Sequence, residues 1–100
     1  MISKVDAETR VLEKLNEPDP YAPDSPRRAL LNNETIERPW GWVFFYESAH
    51  FLETGRFEDR LAGNAPCLFN RFTGEIAWAG TAHPIGHYIE QYEQQLTKNA

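Results

Sequence analysis

Trp40-Gly41-Trp42-Val43-Phe44-Phe45-Tyr46 is the stretch on which the fold turns. It holds two of the chain's three tryptophans and, after Gly41, an unbroken run of bulky β-formers. It falls far short of the about 20 apolar residues needed to cross a bilayer. Its length and residue types are those of a buried central strand. Side chains alternate along a strand, so Trp42, Phe44 and Tyr46 face one way and Val43 and Phe45 the other. Both faces are therefore apolar. A chain of 100 residues has few elements with which to cover two faces of a sheet. The expectation is one face packed under helices and one partly open, bearing aromatic side chains for another molecule.

Working outward, Ser3 reads as the N-cap of a first helix, with Asp6 three residues on completing a capping-box-like pair. Val5, Leu12 and Leu15, with Thr9 and Val11 alongside, supply its apolar stripe. The helix is predicted to end near Asn16, because Pro18, Pro20, Pro23 and Pro26 cannot continue it. Glu17 to Pro26 reads as an extended spacer without chemistry of its own. Ala29-Leu30-Leu31 and Thr35-Ile36-Glu37-Arg38 are extended around Asn32-Asn33, a turn or a bulge.

Pro39 and Gly41 punctuate the chain before the aromatic strand, Trp42 to Glu47. Between Phe51 and Pro66 lie Thr54-Gly55, an amphipathic scrap with Phe57 and Leu61, and the turn Gly63-Asn64-Ala65-Pro66. A third strand, Cys67 to Phe72, meets a fourth, Glu75 to Gly80, through the hairpin signal Thr73-Gly74. Pro84 suits the first position of a closing helix. Ile85, Tyr88, Ile89, Tyr92 and Leu96 then repeat at helical spacing. The predicted architecture is a single α+β domain over residues 1–100: helix, four-stranded antiparallel meander, helix. Strands about 4.8 Å apart make a narrow sheet, and two helices about 10 Å wide cover one face of it. Both helices are expected on that face.

Composition narrows the function classes. The net charge is −5, and Arg27-Arg28 is the only adjacent basic pair. This argues against nucleic acid, whose binders cluster Lys and Arg. Acidity of this size serves solubility and also suits a basic protein partner. The lone Cys67 excludes an internal disulfide and reads as a small core residue. The first residues lack the apolar core of a signal peptide, so a cytoplasmic location with no membrane partner is expected. Monomer and homodimer are both left open.

No catalytic or metal site emerges. His83 and His87 are four apart with Pro84 between them, and Cys67 and Glu90 are the only further ligands in view. Ser48 and His50, with His83 or His87 as base, lack a Gly-x-Ser-x-Gly elbow and an oxyanion hole. Glu47 with Glu53, or Glu58 with Asp59, shows no sign of the divergent protonation that acid–base pairs need. No metal, cofactor or enzymatic activity is expected. Gly41, Gly55, Gly63, Gly74 and Gly80 fall at element edges and read as structural, as does the turn residue Asn64. Trp40 and Trp78 are open to core packing and to partner contact alike, tryptophan being enriched at binding hot spots. As partner contacts they would be the anchors, with Glu47, Glu58 and Asp59 as an acidic rim.

The chain also resembles a known family. Gly41-Trp42-Val43-Phe44-Phe45-Tyr46, Thr54-Gly55, Gly63-Asn64-Ala65-Pro66, Thr73-Gly74-Glu75, Gly80-Thr81-Ala82 and Tyr88-Ile89-Glu90-Gln91-Tyr92-Glu93 follow the order seen in YrhB-like domains, also called immunity protein 35. The resemblance spans roughly Leu30 to Glu93, and the leading helix is compatible with it. Family members often carry an acidic residue just before the position of Tyr88, where this chain has Gly86-His87. The resemblance implies a small bacterial cytoplasmic protein, encoded beside a polymorphic toxin, that neutralises the toxin by stoichiometric binding. Such toxins often carry papain-like peptidase or other protein-modifying domains. A chaperone-like branch of the family implies the alternative, the holding of unfolded clients on an exposed apolar sheet face. A small hydrolase is the remaining and weakest class.

Overall fold

The aromatic stretch sits at the centre of the computed structural model, which describes residues 1–98. Gly41–Phe44 (β3) is paired on both sides, antiparallel to Ile36–Arg38 (β2) and to Cys67–Asn70 (β5). Ile76–Trp78 (β6) completes the sheet against β5, giving the order β2-β3-β5-β6. This is the expected four-stranded meander.

The expected strand from Trp42 to Glu47 is divided between this sheet and a second, two-stranded one. In it Arg28–Leu30 (β1) pairs with Tyr46–Ser48 (β4). Ile36 stands opposite Val43, and Leu30 opposite Tyr46. Residues 31–35 on one side therefore face only Phe44 and Phe45 on the other. The excess is taken up by a 3-10 turn at Asn32–Glu34. The Asn32-Asn33 signal marks this bulge.

Side-chain alternation along β3 divides the core into two layers. Trp42, Phe44 and Tyr46, with Cys67 and Phe69, pack under Ala7, Val11 and Leu15 of the first helix, Lys4–Leu15 (α1). Val43 and Leu68 instead pack with Trp40, Ala79 and Tyr92, joined by Phe45 and by Ile85, Tyr88, Ile89 and Leu96 of the last helix, Ile85–Lys98 (α3). The two helices therefore cover opposite faces. This corrects the expectation that both lie on one face with the other open. Each face of β3 was apolar because each carries a helix. Phe44 and Phe69 are fully buried, and a phenylalanine removed from water contributes roughly 1.5–3 kcal/mol.

The helix termini follow local chemistry. Ser3 Oγ accepts from Asp6 N at the start of α1, and Asn16 closes it. The stripe facing the sheet is Ala7, Val11 and Leu15, whereas Val5 is 70% exposed. Of the predicted stripe of Val5, Leu12 and Leu15, with Thr9 and Val11 alongside, Val11 and Leu15 are buried and Val5 is corrected. The helix α3 begins at Ile85, one residue after Pro84, and uses all five predicted apolar positions. Between β4 and β5 the scrap resolves into a short helix, Ala49–Thr54 (α2), and a 3-10 turn, Phe57–Asp59. Ser48 caps α2 through its side chain, and Gly55 ends it in the left-handed conformation. No helix among the described residues is long and apolar enough to cross a membrane.

Candidate partner-binding site

The five residues expected to meet a partner do not form one surface. Trp40 is 7% exposed. Its ring lies 4.6 Å from that of Tyr92, and its indole N–H donates to Glu93 Oε2 at 2.9 Å. The same carboxylate takes Arg38, whose Nε donates at 2.8 Å. The Trp40 hydrogen bond and the Arg38 charge outweigh partial burial and hold the Glu93 carboxyl below the usual range. Trp40 is thus a core residue that locks α3 to the sheet, and its reading as a surface anchor is corrected.

Glu47 is corrected in the same way, being only 4% exposed. Its Oε2 accepts from Ser48 N at 2.9 Å and from Leu61 N at 2.7 Å. Arg60 Nε stands 3.6 Å from its Oε1. Burial pushes this carboxyl up, but the two amide donors and Arg60 outweigh it, and the net direction is down. The carboxylate pins the 55–66 segment to β4.

Asp59 is largely turned inward. Its Oδ2 accepts from Thr54 Oγ1 at 2.6 Å and Arg56 Nε at 3.3 Å, and His50 Nε2 lies 3.7 Å away. The Thr54 hydrogen bond leads in lowering its pKa. Glu58 is exposed beside Arg56. Of the proposed contacts, Trp78 and Glu58 remain on the outer surface.

Trp78 is half-exposed. It lies on the α1 side, since Ile76 two residues earlier packs into that layer and the Trp78 ring meets Tyr46 edge-on at 6.5 Å. Trp40 and Trp78 therefore belong to opposite faces. Trp78 lines a cleft of about 770 Å³, together with Tyr46, the end of α1 and the proline-rich segment.

That segment is not the plain spacer expected from composition. Asn16 joins its two ends: its Oδ1 accepts from Arg28 N at 2.8 Å, and its Nδ2 donates to Arg28 O at 3.1 Å. Arg28 Nη1 also donates to Leu15 O at 3.3 Å. The closed 17–27 segment is an Ω-loop, compact and with its ends together. Inside it, Asp19 accepts from Tyr21 N through its side chain and from Ala22 N through its carbonyl. Tyr21 is held out on this loop, 95% exposed. The available signal was Asn16 at the helix end, followed by Asp19 among closely spaced prolines; these residues make fixed turns.

The other candidate chemistries find little support in the geometry. His83 and His87 have ring centroids 4.3 Å apart. Cys67 is fully buried in the α1 layer, and burial pushes its thiol up to about 12. No group of three or more potential metal ligands occurs among the described residues. Ser48 Oγ is occupied in capping α2, where it accepts from Phe51 N.

Comparison with known proteins decides the family. A family model described as Immunity protein 35 (Imm35) matches residues 5–95. The chain belongs to the Imm35 family. It is also 49% identical, over 53 residues, to a protein described as "Uncharacterized protein YrhB" from Escherichia coli (strain K12). That match spans 53% of this chain and 56% of the relative, so the Imm35 chain aligns with just over half the length of its curated relative. No solved structure gives a significant match. The Imm35 match takes in both sheets, α2 and most of α1 and α3, and with them the cleft and its loop.

Proposed function

We propose that this Imm35 protein neutralises a cognate toxin by binding it stoichiometrically in the bacterial cytoplasm, without catalysis of its own. The family match over residues 5–95 is the observation that carries this reading. The toxin belongs to a polymorphic system and is a protein-modifying enzyme such as a papain-like peptidase, the class that the family resemblance implies. Trp78 and Glu58 are retained as partner contacts. Trp40 and Glu47 act behind them by fixing the fold.

The chaperone-like alternative required an open apolar sheet face. With α1 on one face and α3 on the other, that surface is taken. The test is co-expression with the toxin encoded in the neighbouring reading frames, followed by native mass spectrometry. Rescue of growth and a complex of fixed stoichiometry are expected. Failure to protect, combined with suppression of aggregation of unrelated unfolded proteins, would reverse the preference.

A further inference from the structure

We infer that the outer edge of β6 is an interface between two copies of this chain. In it β6 pairs antiparallel with β6 of the second copy, about a two-fold axis at Ala77. The hydrogen bonds inside the chain show which groups are on offer. Asn70 N donates to Glu75 O at 2.9 Å, and Ala79 N donates to Pro66 O at 2.9 Å. Bonded and non-bonded pairs alternate along an antiparallel ladder, so Ala77 also turns its main-chain groups to β5. Ile76 and Trp78 therefore direct theirs outward, and no strand among the described residues takes them.

The other sheet edges are blunted. At β1 the Asn16 side chain bonds both the N–H and the C=O of Arg28. At β4 Asn64 Nδ2 donates to the Tyr46 carbonyl at 2.8 Å, and the Ser48 N–H donates to the Glu47 carboxylate. The edge of β2 carries Glu37 and Arg38 and runs into Pro39. Covered groups, charge and proline are the protections that keep an exposed edge from pairing. The β6 edge, Ile76-Ala77-Trp78, has none of these three.

A second copy fits the chemistry of this edge. The two-fold register sets Ile76 opposite Trp78 of the other copy, and does so twice. An aromatic facing a β-branched residue is a favoured cross-strand pair. The pairing would cover an indole that is 49% exposed in the single chain. Glu75 falls opposite Ala79 of the second copy, so no two carboxylates oppose each other. An edge without charge does not select an oppositely charged partner. The paired segment is short, which makes the dimer weak and dependent on concentration. It does not depend on the toxin.

The test takes the full chain, without toxin, over a range of concentrations. Sedimentation velocity reads the oligomeric state, and NMR amide exchange reads the edge. A monomer–dimer equilibrium is expected. The Ile76 and Trp78 amides should exchange fast in dilute solution and slowly in concentrated solution, whereas those of Ala77 and Ala79, bonded within the chain, should change far less. In a mixture of differently labelled chains, Ala77 Hα should contact Ala77 Hα of the second copy, since a non-bonded pair brings Cα atoms to about 4.5 Å.

Trp78→Pro removes an N–H that bonds nothing within the chain, and proline is tolerated on an edge strand. With its fold confirmed by circular dichroism, it should weaken dimerisation by at least about tenfold relative to Trp78→Ala, which keeps that N–H. If Trp78→Pro does not fold, the exchange measured on the parent decides alone. A chain that stays monomeric at NMR concentrations would overturn the inference. So would a dimer whose Ile76 and Trp78 amides still exchange fast. Protection of these amides only on adding the toxin would also overturn it, and would assign the edge to the toxin instead.

Discussion

Gly41 stands where the aromatic strand lies against the backbone of its neighbour β5. Its φ is +152°, and a Cβ placed there would lie 1.8 Å from the Phe69 carbonyl oxygen. The clash is with backbone, which cannot rotate away as a side chain would. Around it, Arg71 closes the same end of the sheet: its Nη2 donates to the Arg38 carbonyl at 2.8 Å and to Glu37 Oε2 at 3.0 Å. Its guanidinium also lies 4.5 Å over the Trp42 ring. Gly41→Ala is therefore expected to cost about 3 kcal/mol or more, by the strain of forcing atoms into a packed site. Gly63, which has positive φ but open space around it, is the control, and its alanine variant should cost clearly less. Urea unfolding of the two variants measures the difference. Comparable losses would mean that the backbone contact at Gly41 is not what fixes this residue.

At the scale of elements, the two long helices differ in how openly their sequences state their packing. The helix α3 presents Ile85, Tyr88, Ile89, Tyr92 and Leu96, a stripe of large side chains that could face only a core. The buried line of α1 runs through Ala7, Val11 and Leu15, and Ala7 leaves little hydrophobic signal. A small residue there lets the helix approach the sheet closely, and that proximity is a tertiary fact invisible to a periodicity count. Trp40 was ambiguous for a similar reason. Its indole partner, Glu93, lies 53 residues away, and nothing local announces it. The Ω-loop lost its meaning in composition, because its order comes from the pairing of Asn16 with Arg28 across the loop. The β2–β3 and β5–β6 hairpins were legible because each is encoded locally, whereas β3 and β5 pair across the intervening residues 45–66. Val11→Ala should destabilise the protein by about 2 kcal/mol, through lost burial and the cavity left behind. Val5→Ala should stay within about 0.5 kcal/mol. Thermal or denaturant unfolding distinguishes them, and equal effects would return Val5 to the buried stripe.

For the molecule as a whole, stability depends on a few ionised carboxylates that hold separate segments together. Glu47 joins the 55–66 segment to β4, and Glu93 joins α3 to Trp40 and Arg38. Both are held below their ordinary value of 4.5 in the folded protein. A depressed folded pKa contributes stability that is present above the unfolded value and is lost as pH falls through the folded one. The two groups should therefore support stability fully at neutral pH and withdraw it progressively below about pH 4.5. At the alkaline end the sign reverses. Burial raises Tyr92 to about 12, with Glu75 accepting its proton at 2.8 Å, and burial raises Cys67 to about 12 as well. Their contribution is complete below the ordinary phenol and thiol values and is lost as pH climbs toward the folded ones. The melting temperature should consequently form a plateau between the two limbs. Glu47→Gln tests the acid limb. A neutral amide replaces the charged acceptor of two backbone N–H groups, so stability at neutral pH should fall by about 2 kcal/mol. The variant should also lose part of the decline below about pH 4.5, because residue 47 no longer takes up a proton on unfolding. A variant with unchanged stability at neutral pH and the parent's full acid slope would show that the buried Glu47 carboxylate does not hold the 55–66 segment in place.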